Sequence, residues 1–291
     1  MAQTRARLTL VPMIFALAVR ALPGGSAAER PVGPRARPVD GIMDNSFLIE
    51  EAYNQEAGVV QHIATVQYSR QRLPGPDAAA WAFSFTQEWP VHGQRHQLSY
   101  TVPYSVAESG GARRSGWGDL LLNYRYQAIF DAATLTALAP RASVVLPTGN
   151  ADRGFGDDTL GAQFNLPYST TFGTRWFAHL NAGFTWLPAA GPPPRRTLQH
   201  YNLGASLIYA VASDLHLLVE CAGAWMEGAD AAGRATRPLA AVISPGVRKA
   251  WNLRGGRQVV VGLAAPMGVT AAAPLYGVFL YFSFEHPFGA R

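Results

Sequence analysis

The sequence is short of cysteine, lysine and charge, and it has no long apolar run. Cys221 is the single cysteine, which excludes an intrachain disulfide and a cysteine metal cluster. Lys249 is the single lysine; the other basic residues are arginines. Charged residues make up only 15% of the chain, against about 25% in an ordinary soluble domain. Hydrophobic residues reach 48%, yet they nowhere gather into the ~18-residue run of a membrane helix. Apolar residues that are abundant but dispersed suit alternating strands, the pattern of a membrane-spanning barrel. No HExxH, paired-cysteine or phosphate-loop pattern is present, and neither a metal nor a cofactor is expected.

The first 28 residues carry the three parts of an export signal: basic Arg5 and Arg7, an apolar run from Leu8 to Val19, and small Ser26, Ala27 and Ala28 for cleavage. Removing them takes away Arg5, Arg7 and Arg20, so 24 basic residues against 19 acidic become 21 against 19. A net charge of +2 gives no support to nucleic-acid binding. Residues 29–41 are a Pro- and Arg-rich leader. Residues 42–57 begin with the cap-type Asp44, Asn45 and Ser46 and continue with Phe47, Leu48, Glu50, Glu51, Ala52 and Tyr53, which predicts a short helix.

From Gly58 a period of two takes over, the strand signature. In residues 81–104, Trp81, Phe83, Phe85 and Trp89 point one way, and His96, Leu98, Tyr100, Val102 and Tyr104 continue after a turn at 90–94. Similar alternation predicts twelve strands, near 59–69, 80–89, 95–104, 118–130, 134–147, 158–168, 174–187, 199–210, 214–226, 238–250, 257–266 and 276–287. Longer Gly-, Pro-, Asp- and Arg-rich connections follow the odd strands, among them 105–117 and 148–157; short turns follow the even ones. That is the outer-membrane pattern, and aromatic residues at strand ends fit its interfacial girdles. The expectation is an all-β, antiparallel up-and-down transmembrane barrel of about twelve strands over 58–291, with a short N-terminal helical segment. It would lie in the bacterial outer membrane, with lipid and the barrel assembly machinery as partners.

Several segments, DNSFLIEEAYNQEAGVVQHI at 44–63, FTQEWP, HQLSYTVP, GDLLLNYRYQ at 118–127, VLPTG at 145–149 and the closing FSFEHPF, resemble a bacterial family named for a putative meta-pathway of phenol degradation. Its members are described as outer-membrane transporters. The resemblance covers the mature chain and implies a channel for small organic solutes, aromatic or amphipathic; it supplies no catalytic residues.

With the aromatic face toward lipid, the other face lines the lumen. Glu88, Arg95, Asp119, Arg125, Arg141, Arg175, His179, Glu220, Arg248 and Glu285 share that parity. Asp44, Glu50, Glu51 and Glu56 precede the first strand at the same mouth as several of these arginines. An acidic segment beside arginine-bearing walls suggests a plug that folds into the lumen and pairs with them. Two alternatives stand beside the channel. One is a structural or binding barrel without transport. The other is an outer-membrane phospholipase built on an outward histidine (His62, His96 or His286), which lacks an outward serine partner near His96.

Overall fold

A computed structural model describes residues 41–42, 46–72, 78–191, 194–229 and 234–288. The predicted export signal over 1–28, the leader through residue 40, and Asp44 lie outside the described residues.

Alternation decides the architecture. Strand after strand reads exposed–buried–exposed–buried, with apolar residues on the exposed side. Leu98, Leu122, Leu203, Leu217, Val219, Leu263 and Leu280 are exposed, while Gln97, Asn123, Asn181, Ser206, Glu220, Arg248 and Ser283 are buried. This inverts a water-soluble protein, where long charged side chains are rarely buried unless paired.

Twelve strands carry the pattern: β1 (Val59–Arg70), β2 (Ala79–Val91), β3 (His96–Ser109), β4 (Ala112–Trp117, Leu120–Tyr126 and Ile129–Asp131), β5 (Thr136–Leu138 and Arg141–Leu146), β6 (Gly161–Asn165 and Tyr168–Phe172), β7 (Trp176–Ala190), β8 (Arg196–Ala212), β9 (Leu215–Trp225), β10 (Leu239–Leu253), β11 (Arg257–Ala264 and Met267–Gly268) and β12 (Tyr276–Pro287). Each pairs antiparallel with its sequence neighbours, and β1 also pairs with β12 from Val59↔Pro287 to Arg70↔Tyr276. The sheet closes into a barrel, so between the two rims the wall strands have a ladder partner on either side, as a hydrocarbon environment demands.

Short turns at 92–95, 132–135, 173–175, 213–214 and 254–256 mark one end. The start of β1 and the end of β12 lie there too. This will be called the turn end and the opposite rim the loop end. The loop end departs from expectation at 105–117. Instead of a loop, β3 and β4 continue as a hairpin closed by Gly110 and Gly111. Both glycines have positive φ, 58° and 76°, a region open to glycine at no steric cost; Ser105, Val106 and Ala107 are all buried and Ala112, Arg113 and Arg114 all exposed, so no period of two marks this stretch as strand.

β5 and β6 stop at Leu146 and Gly161, lower than their neighbours. Residues 147–160 fill the resulting step. Asp119 accepts from the Gly149 amide at 2.8 Å and the Asp157 amide at 2.8 Å. Gly191 donates to the Asp157 carbonyl at 2.7 Å, and Arg195 pairs with Asp158. Phe155 is buried against Gly116, where any Cβ would overlap its ring.

The predicted helix does not form among the described residues. Described residues 46–57 form bends and turns with no helical run. The local cap signals lose because the backbone amides of this segment are taken by wall side chains, so no i→i−4 ladder forms.

Candidate functional site

The segment 46–57 enters at the turn end and follows the inner wall round the barrel, strand by strand. The Leu48 amide donates to both Glu220 carboxylate oxygens at 3.0 Å, and the Ile49 amide to Oε1 at 3.1 Å. Asn181 then embraces Glu50: its Oδ1 accepts from the amide at 2.8 Å and its Nδ2 donates to the carbonyl at 2.8 Å. The Ala52 amide donates to Ser169 Oγ at 2.8 Å, the Asn54 amide to Gln127 Oε1 at 2.9 Å, and the Gln55 amide to Gln97 Oε1 at 2.7 Å. Gln127 returns a donor to the Ala52 carbonyl at 2.7 Å, and Arg125 Nη2 one to the Tyr53 carbonyl at 2.8 Å. From β9 through β7, β6 and β4 to β3, side chains do for this segment what a neighbouring strand would do.

The acidic side chains meet buried cations. Arg125 and Arg141 are direct partners across β4 and β5, 2% and 7% exposed. Both hold the Glu50 carboxylate, Arg125 Nη1 at 3.0 Å and Arg141 Nε at 3.1 Å from each oxygen. Asn165 Nδ2 adds a donor at 2.6 Å. Burial alone would raise the Glu50 pKa; Arg141, Arg125 and Asn165 outweigh it and hold the carboxyl below its ordinary value. Glu51 lies 3.3 Å from Arg248 Nη2 and 3.5 Å from His179 Nε2. Glu56 is half-buried, and its carbonyl accepts from the Val59 amide at 3.0 Å, turning the chain into β1.

Phe47 and Ile49 pack away from the arginines, while Ala52 and Tyr53 stay beside them with Ala137, Ala139 and Phe130. Phe47 packs on Phe279 and Tyr281, ring centroids 5.6 and 5.5 Å away. Its ring fills space that a Cβ at Gly246 or Gly262 would need. Ile49 clusters with Ala222, Val242 and Ala273. A cavity of about 280 Å³ remains at the turn end, beside Ile42, Phe177, Val211 and His216.

Of the wall residues singled out by parity, Glu88, Arg125, Arg141, His179, Glu220, Arg248 and Glu285 are buried on the inner wall. Glu88 accepts from Gln97 Nε2 at 2.7 Å and lies 3.7 Å from Arg125. Asp119 is buried at the loop end, where it holds residues 147–160 rather than the segment. Arg95 and Arg175 are not wall residues, contrary to expectation. Both are exposed in turns, where strand parity no longer fixes direction. Arg175 Nη1 reaches the Tyr209 hydroxyl at 3.3 Å, and Arg95 contributes its carbonyl, which accepts from Asn54 Nδ2 at 3.1 Å.

Sequence reasoning passed over the uncharged wall. Ser99, Asn123, Ser143, Gln163, Thr185 and His200 are successive cross-strand partners from β3 to β8. Arg141 Nη1 donates to Asn123, Ser143 and Gln163 within this row, at 3.1, 2.5 and 3.2 Å. Only their shared lumen parity signalled them, and any wetted strand face has the same composition.

On the outside, His96 Nδ1 meets the Tyr124 hydroxyl at 2.7 Å, and the His62 and His286 Nε2 atoms lie 3.1 Å apart. Those side-chain partners are a phenol and a second imidazole, not serine.

No family model and no curated protein matches the chain. Among solved structures, an outer-membrane channel from Pseudomonas putida F1 superposes with a TM-score of 0.59 at 16% identity, over 81% of this chain and 98% of that one. The two share a fold. A bacterial polysaccharide outer-membrane secretin superposes at a TM-score of 0.35 and 6% identity, over 81% of this chain and 100% of that one, which carries no argument.

Proposed function

We propose that the chain is a bacterial outer-membrane channel for small organic solutes, aromatic or amphipathic, whose lumen is closed by its own residues 46–57. The observation that carries this reading is how that segment is held. Side-chain hydrogen bonds and ion pairs bind it to the wall, while the barrel closes its own ladder without it. A segment outside the ladder can leave without opening the wall. The apolar outer belt fits a bilayer, and the shared fold with an outer-membrane channel and the resemblance to the phenol-degradation transporter family fit the same role. Twelve strands enclose a lumen narrower than that of the 16–18-stranded open porins, which suits small solutes once the segment moves. An exported chain of this kind would reach the membrane through the barrel assembly machinery.

The test is solute uptake. Liposomes carrying protein that lacks residues 41–57 should swell in small organic solutes faster than liposomes carrying the intact chain. Equal impermeability of both would leave a structural or binding barrel without transport.

A further inference from the structure

The Glu50 carboxylate sits in a receptor that does not depend on Glu50 being part of the barrel. Arg125 and Arg141 are fixed side by side by the ladder, and Asn165 reaches in from β6. Together they place four donor contacts on one carboxylate: one from Arg125, two from Arg141 and one from Asn165. Paired guanidinium donors on a carboxylate are the strong, geometry-specific form of recognition. The ligand of this receptor belongs to a segment that, among the described residues, is not a strand of the ladder. On β11 and β12, Phe279, Tyr281, Val260 and Ala264 form an apolar inner surface that Phe47 of the same segment covers.

We infer that the Arg125–Arg141–Asn165 cluster is a binding site for solute carboxylates, and that a small organic monocarboxylate opens the lumen by exchanging with Glu50. This rests on the channel reading for its consequence and on the cluster geometry for its chemistry. Withdrawing Glu50 into water takes from two buried guanidinium groups the carboxylate they share, and burying charge without its partner is costly. A solute carboxylate replaces that charge as the segment leaves; a neutral molecule of the same shape does not. Gate and selectivity are then one device. The apolar wall receives the solute's hydrocarbon body, which sets an aromatic or aliphatic acid above a bare inorganic anion.

The test uses the full chain in detergent with Ser46→Cys in a Cys221→Ser background. Ser46 is buried on Ser206 at the start of the segment, so labelling by a membrane-impermeant maleimide reports its release. Benzoate should speed labelling about five- to tenfold over its neutral isostere benzamide, the size of an ordinary coupling between two ligands. Glu50→Gln, which leaves the wall intact, should label faster without solute and gain less from benzoate. Equal effects of benzoate and benzamide, or no effect of either, would overturn the inference. If benzoate speeds labelling but the truncated barrel does not conduct, the carboxylate site stands and the channel falls. If the truncated barrel conducts while labelling ignores benzoate, the channel stands and the carboxylate site falls.

Discussion

At the scale of single residues, Asn181 and Glu50 hold the segment most economically. Asn181 satisfies both backbone groups of Glu50, so Asn181→Ala orphans a buried donor and a buried acceptor. A cost of about 2 kcal/mol corresponds to roughly 30-fold faster hydrogen exchange of the Glu50 amide, with the strands of the wall unchanged. Glu50→Gln keeps the shape and loses the charge; the segment should weaken by about 2 kcal/mol, the scale of a charged hydrogen bond. Because the Glu50 carboxyl is held below its ordinary value of 4.5, its contribution is present above that value and fades only as pH falls through the depressed one. The Glu50 contribution to segment protection should therefore stay level between about pH 7 and 5 and drop in stronger acid. Parity made Arg125, Arg141 and Glu220 visible in the sequence, since a charge among alternating apolar residues must face inward. It misled at Arg95 and Arg175, which stand just outside their strands, where the period of two has no meaning.

At the scale of elements, the segment 46–57 and the loop 147–160 close the two ends by different chemistry. Acidity before the first strand and arginine on the wall were legible as a pairing. The missing helix was not, because the competing acceptors for its amides come from five distant strands. The loop at 147–160 carries a strained carboxylate. Burial, with Asp119 nearby, pushes Asp157 up to about 6. The folded loop thus prefers the protonated acid, and its seat is firmest below the ordinary value of 3.8 and loses stability as pH rises toward about 6. The whole span amounts to roughly 2–3 kcal/mol. Asp157→Asn should remove this pH dependence and tighten the loop at neutral pH, read as slower exchange of the Gly191 amide. Faster exchange in the variant would contradict the assignment.

At the scale of the molecule, the account turns on a closed wall and a removable occupant. The wall was readable from alternation, from low charge without a long apolar run, and from short turns after even strands. Closure of β12 on β1 followed from the up-and-down barrel reading, while its register, Val59↔Pro287 to Arg70↔Tyr276, needed coordinates. A closed ladder predicts that removing residues 41–57 leaves the barrel folded: strand content by circular dichroism should be retained, with a lower melting temperature. Single-channel conductance of refolded intact and truncated protein in planar bilayers tests the central claim most directly. The intact barrel should be closed or rarely open, and removal of 41–57 should give a steady conductance. The same conductance in both, open or silent, would contradict it.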